Sequence, residues 1–422
     1  MKKVIGFDSW TGGASHFARL VPTFKARGFD LQLVHLGSWG NEPECPGECR
    51  MGELLVRDIA FYDDNSLEKI LDVEQPVAVI LLSTDTFAHR AVIRYCDQRH
   101  IPTLNLFHGL VGLTDRISES GAYVVSYRAH ARYVLSRLGK LLKHTFPCYI
   151  KALLLTKAKA EEWVRFFLDV FHMAKGDHLF RLPAADAKTT KCAVYTQADF
   201  EYAIRSYNYG QEDVSVVGNP DFIQFGFNET HYGCWEKQAI GDNTIMYIET
   251  GFSSVGLYYP SEQEFVNHLI NTSRLLADNG FRMLLKLKPS ASNVELIKQK
   301  LMNSKIELVD NKNFLTELMS CSACIVESTT LAIIPAIMGM PLLLTQYGYL
   351  KSLSFGPVLT SYPRGYSLTN VSDLPAILEK NAQMTDTGKL TQWIDQNAGP
   401  LPAEKIPERV AAIVEEMTSD LR

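Results

Sequence analysis

Three short groups in the second half of the chain have the right residue types to hold a phosphate. Thr250-Gly251 follows the apolar run Met246–Ile248 and offers backbone N–H groups with little steric bulk. Lys286 and Lys288, with Pro289 behind them, close the run Arg282–Leu287 and bring positive charge. Ser328-Thr329-Thr330 follows the run Ala323–Val326 and opens a helix-like apolar stretch to Met338, before Gly339. A helix start exposes unpaired N–H groups and a positive dipole end, and hydroxyls add donors. Each group alone is ordinary: an N-cap, a solvated lysine, a glycine turn. Three of them after successive strands suit a phosphate or diphosphate.

The first half carries groups that could move a proton. Asp8 ends the strand-like run Lys3–Phe7 and begins the glycine loop Asp8–Ser15. His16 starts the following helix, and His108-Gly109 stands just past the run Thr103–Phe107. Ligands of parallel sheets collect at the carboxyl ends of strands, which makes these positions neighbours in a candidate site. Asp8 is the first candidate base, with His108 and His16 as alternatives. A loop-capping aspartate and a hydrogen-bonded histidine are the plain readings of the same residues.

These positions need α/β layers to hold them. Residues 1–125 read as one Rossmann-like series: strands Lys3–Phe7, Leu31–Leu36, Pro76–Leu82 and Thr103–Phe107, with helices Phe17–Arg27 and Thr86–Arg99. Strands Ala193–Thr196 and Val214–Val217, within 191–218, complete it. Residues 219–400 read as a second series, with helices from Glu262 to Asn279, from Val294, and from Asn313 to Met319. The strand Leu342–Thr345 follows the opening stretch, and 401–422 forms a terminal helix. The expected architecture is α/β, two Rossmann-like domains facing a cleft.

Residues 126–190 differ. No strand pattern appears, and Arg128–Lys191 holds thirteen Lys/Arg against five Asp/Glu, a net +8 in a chain whose total is −5. At about 100° per residue, Arg132, Arg137, Lys140, Lys143 and His144 share one side of a Tyr127–His144 helix. Val134, Leu135, Leu138, Leu141 and Leu142 share the other, and Arg128 adds charge at its start. Such a helix suits an anionic membrane surface, or packing on the body with a solvated basic face. A second helix, Ile150–His172, carries Trp163, Phe166, Phe167 and Phe171.

The stretch T-G-G-A-S-H-F-A-R-L-V-P-T-F-K-A-R-G-F-D-L-Q-L-V resembles the N-terminal domain of GT-B glycosyltransferases. In that family a Gly-Gly loop, here Gly12-Gly13, faces the interdomain cleft. Gly218-Asn219-Pro220 stands where GT-B chains cross into the second domain, and the terminal helix often crosses back. Lys286-Leu287-Lys288-Pro289, Ser328-Thr329-Thr330 and Gly339-Met340-Pro341 resemble one GT-B group. That group comprises bacterial capsule and lipopolysaccharide transferases using CMP-activated acidic sugars, of the sialyl- and Kdo-transferase kind, with CDP-glycerol transferases. The resemblance implies donor contacts at Gly12, Gly13, Asn219, Thr250, Gly251, Lys286, Lys288, Pro289, Glu327, Ser328, Thr329 and Thr330. The chain departs from the group at Lys288, where histidine is usual; lysine holds phosphate but donates protons poorly near pH 7. It also departs from many retaining enzymes, whose second Glu falls near Pro335 if Glu327 is the first.

The resemblance implies a metal-independent glycosyltransferase with a nucleotide-sugar donor, CMP-linked ahead of UDP-linked, and a lipid- or polysaccharide-linked acceptor. No cofactor is expected, since the nucleotide-sugar is a substrate. A nucleotide-sugar epimerase of the UDP-N-acetylglucosamine 2-epimerase kind and a non-catalytic GT-B scaffold are the alternatives. Composition narrows the partners further. The net charge of −5 carries no nucleic-acid signature, so no nucleic-acid partner is expected. No run reaches the roughly eighteen apolar residues of a membrane span, and the start reads as a strand rather than a signal peptide. Eight scattered cysteines, with close pairs only at Cys45/Cys49 and Cys321/Cys324, read as thiols of a reducing cytosol. The expected location is cytoplasmic, peripheral on the inner face of the membrane.

Overall fold

A computed structural model describes the chain apart from residues 9–12, 40–46, 63–65, 111–137, 176–184, 238–242, 253–257, 289–293, 303, 383–386 and 420–422. Two sheets organise it. The first contains β1 (Lys2–Asp8), β2 (Phe29–His35), β3 (Glu48–Met51), β4 (Leu54–Asp58), β5 (Ala78–Leu81), β6 (Thr103–Leu106), β7 (Lys191–Val194) and β8 (Val214–Val216). Their order is β3-β4-β2-β1-β5-β6-β7-β8, parallel except for the β3–β4 pair. The second contains β9 (Thr244–Ile248), β10 (Arg282–Lys286), β11 (Glu307–Leu308), β12 (Ala323–Val326), β13 (Leu342–Thr345) and β14 (Gly365–Leu368). Its order is β11-β10-β9-β12-β13-β14, parallel throughout.

Burial explains why these runs are strands. β5, β6, β9, β12 and β13 are buried at every residue, as strands covered by helices on both faces must be. Chain order reverses on either side of β1 in the first sheet and of β9 in the second. Ligand crevices form beyond the carboxyl ends of strands at such switch points.

Several expected elements differ in detail. The expected helix Phe17–Arg27 is two short helices, Ala14–Ala18 and Val21–Ala26, the second starting at Pro22 in its first turn. Proline lacks the N–H that would bond back into the preceding turn, which favours a new helix start. The expected helix Ile150–His172 is Phe146–Leu155 followed by Ala160–Lys175, with Lys157 left-handed at φ 52° between them. The β3–β4 hairpin, the helix Leu67–Glu74 and β14 were not expected from the sequence.

Most of the expected Tyr127–His144 helix, with Arg128, Arg132 and Arg137, lies outside the described residues. Residues 138–140 are helical and Leu141–Thr145 is a π-turn, which shifts the phase assumed for an α-helix. Leu142 and Lys143 are consequently exposed side by side, and His144 stacks on Trp39 at 5.3 Å. The C-terminal helix Ile406–Ser419 returns to the first sheet's side, where Arg27 pairs with Glu415 and Lys191 Nζ lies 3.5 Å from Glu416.

Candidate functional site

Asp8 is the last residue of β1, in register with His35 of β2, and its side chain is buried. A Cβ on Gly13 would overlap the Asp8 carboxylate, so only glycine fits beside it there. Gly12 lies outside the described residues. Behind Asp8 stands His89, fully buried on the helix Phe87–Gln98, with Nε2 3.9 Å from Asp8 Oδ1. That separation is beyond hydrogen-bond reach. Burial, with the neighbouring His108, drives the His89 pKa down to about 3. The contact is therefore a neutral imidazole beside a carboxyl group and not an ion pair. Thr86 Oγ1 accepts the His89 backbone N–H and lies 2.6 Å from its Nδ1. We assign the hydroxyl proton to that bond, which leaves the ring proton on Nε2, toward Asp8.

His108 follows β6 and is exposed. Its Nδ1 lies 2.6 Å from the carbonyl oxygen of Leu82. A carbonyl only accepts, so Nδ1 carries the proton and Nε2 keeps a basic lone pair. The His16 ring stands 6.3 Å away, edge to face. Burial first, then Arg19 and His108, lower the His16 pKa to about 3, and Arg19 Nη2 lies 2.9 Å from its Nδ1. His16 is thus a neutral acceptor for Arg19 rather than a base poised near neutrality.

The second sheet contributes the opposite wall. β9, β10 and β12 are neighbours with Ile248, Lys286 and Val326 level in register. Thr250-Gly251, Lys288 and Ser328–Thr330 therefore leave from adjacent strand ends. What those residues do differs from the expectation in two places. The N–H groups of Thr250 and Gly251 are already engaged: Thr250 N–H donates to Glu327 Oε2 at 2.9 Å, and Gly251 N–H donates to Glu249 Oε1. A backbone donor bound to a buried carboxyl is not available to a ligand phosphate. Lys286 is buried, its Nζ donating to the Leu287 carbonyl at 3.1 Å, and desolvation lowers its pKa to about 8. Lys288 is exposed while its N–H donates to Glu249 Oε2 at 3.1 Å. Pro289 lies outside the described residues.

Glu327 is fully buried and also accepts from the Tyr247 hydroxyl at 2.9 Å. Burial first, and then the charge of Glu249, raise its pKa to about 8; burial likewise raises Glu249. Two carboxyl groups thus lace three strand ends together, and the Glu327 side favours its neutral form at pH 7. The helix after Thr330 is shorter than expected: a 3-10 turn, Thr330–Ala332, then Ile333–Ile337. Thr329 Oγ1 caps it by accepting Leu331 N–H at 3.4 Å. So short a helix sums few peptide dipoles, and hydroxyl donors carry more of any anion contact here. Ser328 is buried, whereas Thr329 and Thr330 are partly exposed.

The two walls meet. A Cβ on Gly109, beside His108, would lie 3.5 Å from Thr330 Oγ1. Gly109, next to the exposed His108, thus stands across from the Thr330 hydroxyl of the second sheet. Asn219 is buried at the crossover, its Oδ1 accepting Asp221 N–H at 3.0 Å and its Nδ2 buried without a partner. Sequence reasoning missed His89, Arg19 and Glu249. His89 occupies an apolar-patterned helix, and only packing reveals which strand end its ring reaches. Among the described residues no cluster of His, Cys, Asp or Glu could hold a metal ion.

No protein-family model matches the chain, and no curated protein matches it in sequence. Solved structures do. A structure of the wall teichoic acid polymerase TagF, a variant soaked with CDPG, aligns with a TM-score of 0.51 at 12% identity, covering 99% of this chain and 89% of that one. A second TagF structure aligns at 0.50 and 12% identity, covering 99% and 90%. The UDP-GlcNAc 2-epimerase of Methanocaldococcus jannaschii, in complex with UDP-GlcNAc and UDP, aligns at 0.49 and 13%, covering 99% and 100%. At such identity the TagF likeness speaks for architecture, and it agrees with the two parallel-rich sheets: the fold is a two-domain GT-B fold.

Proposed function

We propose that the protein is a glycosyltransferase moving a sugar from a nucleotide-activated donor to a lipid- or polysaccharide-linked acceptor of a bacterial surface. A CMP-sugar is favoured over a UDP-sugar by the paired motifs at Lys286–Pro289 and Ser328–Thr330. The observation that carries the reading is the approach of Gly109, the residue after His108, to Thr330 across the two walls. A group transfer needs a proton acceptor on one side of the reacting carbon and donors for the leaving phosphate on the other. His108 Nε2 takes the proton of the acceptor hydroxyl. The acceptor oxygen bonds to the sugar carbon as that carbon's bond to the phosphate oxygen breaks. The phosphate leaves with the bonding pair, held by the Thr329 and Thr330 hydroxyls and Lys288. Asp8 sits closed behind Gly13 and is the second choice for base. The neutral form of Glu327 spares the phosphate a buried negative charge. These donors stand in for a metal, so turnover should survive EDTA.

Thermal shift with CMP, CDP, UDP and GDP tests the donor class, since a ligand that binds only the folded state raises Tm. A panel without any shift overturns the reading, and a shift by UDP alone replaces the CMP preference.

Membrane docking belongs to the same proposal, with a different element at its centre. On the helix Ala160–Lys175, Phe166 is buried against Phe87 and Tyr149. Val164, Phe167, Leu168 and Phe171, spaced i, i+3, i+4, i+7, are exposed on the other face, Phe167 by 64%. Large apolar side chains on both faces are unusual for a surface helix and suit insertion at a lipid interface. Lys140 and Lys143 lie in the same helical region. No helix among the described residues is long and apolar enough to cross a membrane. Co-sedimentation with anionic vesicles should drop when Phe167 and Phe171 become Ser. Equal binding to neutral and anionic vesicles, or none, overturns the docking.

A further inference from the structure

The second domain also contains a groove of about 860 Å³ that the proposed chemistry does not use. One wall is the helix Glu262–Asp278, and the other is formed by the segments that follow β13 and β14. Among the described residues, none of the donor-contact candidates lines it, nor does any residue of the first sheet. Its size is that of an ordinary small-molecule site.

Aromatic rings set its shape. Tyr347 stacks on His268 with ring centroids 5.3 Å apart, and its hydroxyl lies 3.0 Å from Thr272 Oγ1. Gly348 takes φ 57°, and a Cβ there would come within 3.2 Å of His268 Nδ1, so glycine lets the chain lie on that ring. Tyr349 is 38% exposed, yet its hydroxyl donates to Glu264 Oε2 at 2.6 Å, which fixes the ring. Tyr258 adopts φ 64°, a conformation a bulky residue rarely holds without reason. Asn267, Asn271 and Asn370 also line the groove. Asn267 is bonded to Gln263 and Glu264, and Asn370 Oδ1 accepts Ser372 N–H at 3.1 Å, which leaves the Asn271 amide and Asn370 Nδ2 for a ligand.

Charge decides the ligand class. Among the described residues, Lys351 and Glu264 are the only charged ones lining the groove, one of each sign. Burial keeps the His268 ring neutral at pH 7, with a pKa lowered to about 4. A phosphorylated ligand needs a surplus of cations, which this lining lacks. A neutral sugar needs ring faces for its C–H surface and amide or hydroxyl groups for its oxygens, which it has. Rings and amides held in advance also lower the entropy cost of binding.

We propose that this groove binds a neutral oligosaccharide, with its C–H face on Tyr349 and its hydroxyls on the Asn271 amide and Asn370 Nδ2. The proposal rests on the groove alone and holds whether or not the cleft transfers a sugar. Saturation-transfer NMR on the full chain, with chitotriose, maltotriose and cellotriose as probes, tests it. At least one probe should bind, with affinity falling about tenfold or more in Tyr349→Ala and in Asn271→Ala. Neither CDP nor UDP should displace it. Silence from all three probes at millimolar concentration overturns the proposal. So does binding unchanged in both variants, and so does displacement by a nucleotide, which would assign the groove to the donor cleft.

Discussion

The two walls of the cleft lose charge in opposite ways. On the first sheet's side, burial strips protons from histidines: His16 and His89 are both lowered to about 3. On the second sheet's side, burial puts a proton on a carboxyl: Glu327 is raised to about 8. Desolvation disfavours whichever form is charged, so the same cause moves bases down and acids up. His16, His89 and Glu327 are therefore uncharged at pH 7 beneath the exposed groups, His108 and Lys288.

The largest expected effect concerns the exposed groups. His108→Ala should lower kcat about 10²- to 10⁴-fold, the usual range for a lost general base. Nucleotide affinity should stay unchanged. Near-normal turnover would move the role to Asp8, and Asp8→Asn then becomes the decisive variant.

Gly13→Ala tests the packing behind the first wall. The added methyl must displace the Asp8 carboxylate, and overpacking of this kind costs about 1–3 kcal/mol. A lowered Tm with lost activity is expected, and an unchanged Tm would show that Gly13 does not pack against the Asp8 carboxylate.

Thr330→Val probes the second wall at its surface. Removing one hydroxyl donor to a phosphate should weaken nucleotide binding by about 1–2 kcal/mol, or up to thirtyfold, with Tm nearly constant. Thr329→Val is less clean, because Thr329 also caps the turn at Leu331.

The smallest effect is on stability against pH, and it separates the walls by sign. Below about pH 6.5 the unfolded chain protonates His16 and His89 while the folded chain does not. The unfolded state then binds more protons, so stability falls as pH drops from 6.5 toward 3. His268 in the second domain adds to that acid-side loss. Glu327 acts in reverse. Between about pH 4.5 and 8 the folded state keeps a proton that the unfolded state has lost, so stability falls as pH rises through that window. Glu327→Gln should flatten the alkaline side of the profile, and His89→Phe the acid side. Urea unfolding across pH reads both, and an unchanged alkaline slope in Glu327→Gln would show that the carboxyl is charged in the fold.

Much of this was legible in the chain. Apolar runs such as Ala323–Val326 and Leu342–Leu344, the latter closed by Thr345, announced buried parallel strands, and both match β12 and β13 residue for residue. Their reading works because a strand covered on both faces has no polar position to confuse the pattern. The hairpin β3–β4 escaped because one strand is exposed at every residue, and an edge strand needs no apolar signature. The split at Thr156–Lys159 escaped because no glycine or proline marks it.

The sequence by itself determined that Asp8, His108, Lys288 and Ser328–Thr330 would stand at strand ends, because strand limits follow from local apolar runs. It also determined where glycines would relieve the turns. Only the tertiary structure decided which of their groups remain available. The N–H groups of Thr250 and Gly251 satisfy two glutamates, Lys286 bonds to its neighbour's carbonyl, and His89 comes to stand behind Asp8 from a distant helix. Hydrogen-bond partners and desolvation depend on residues far apart in the chain, and no local pattern encodes them.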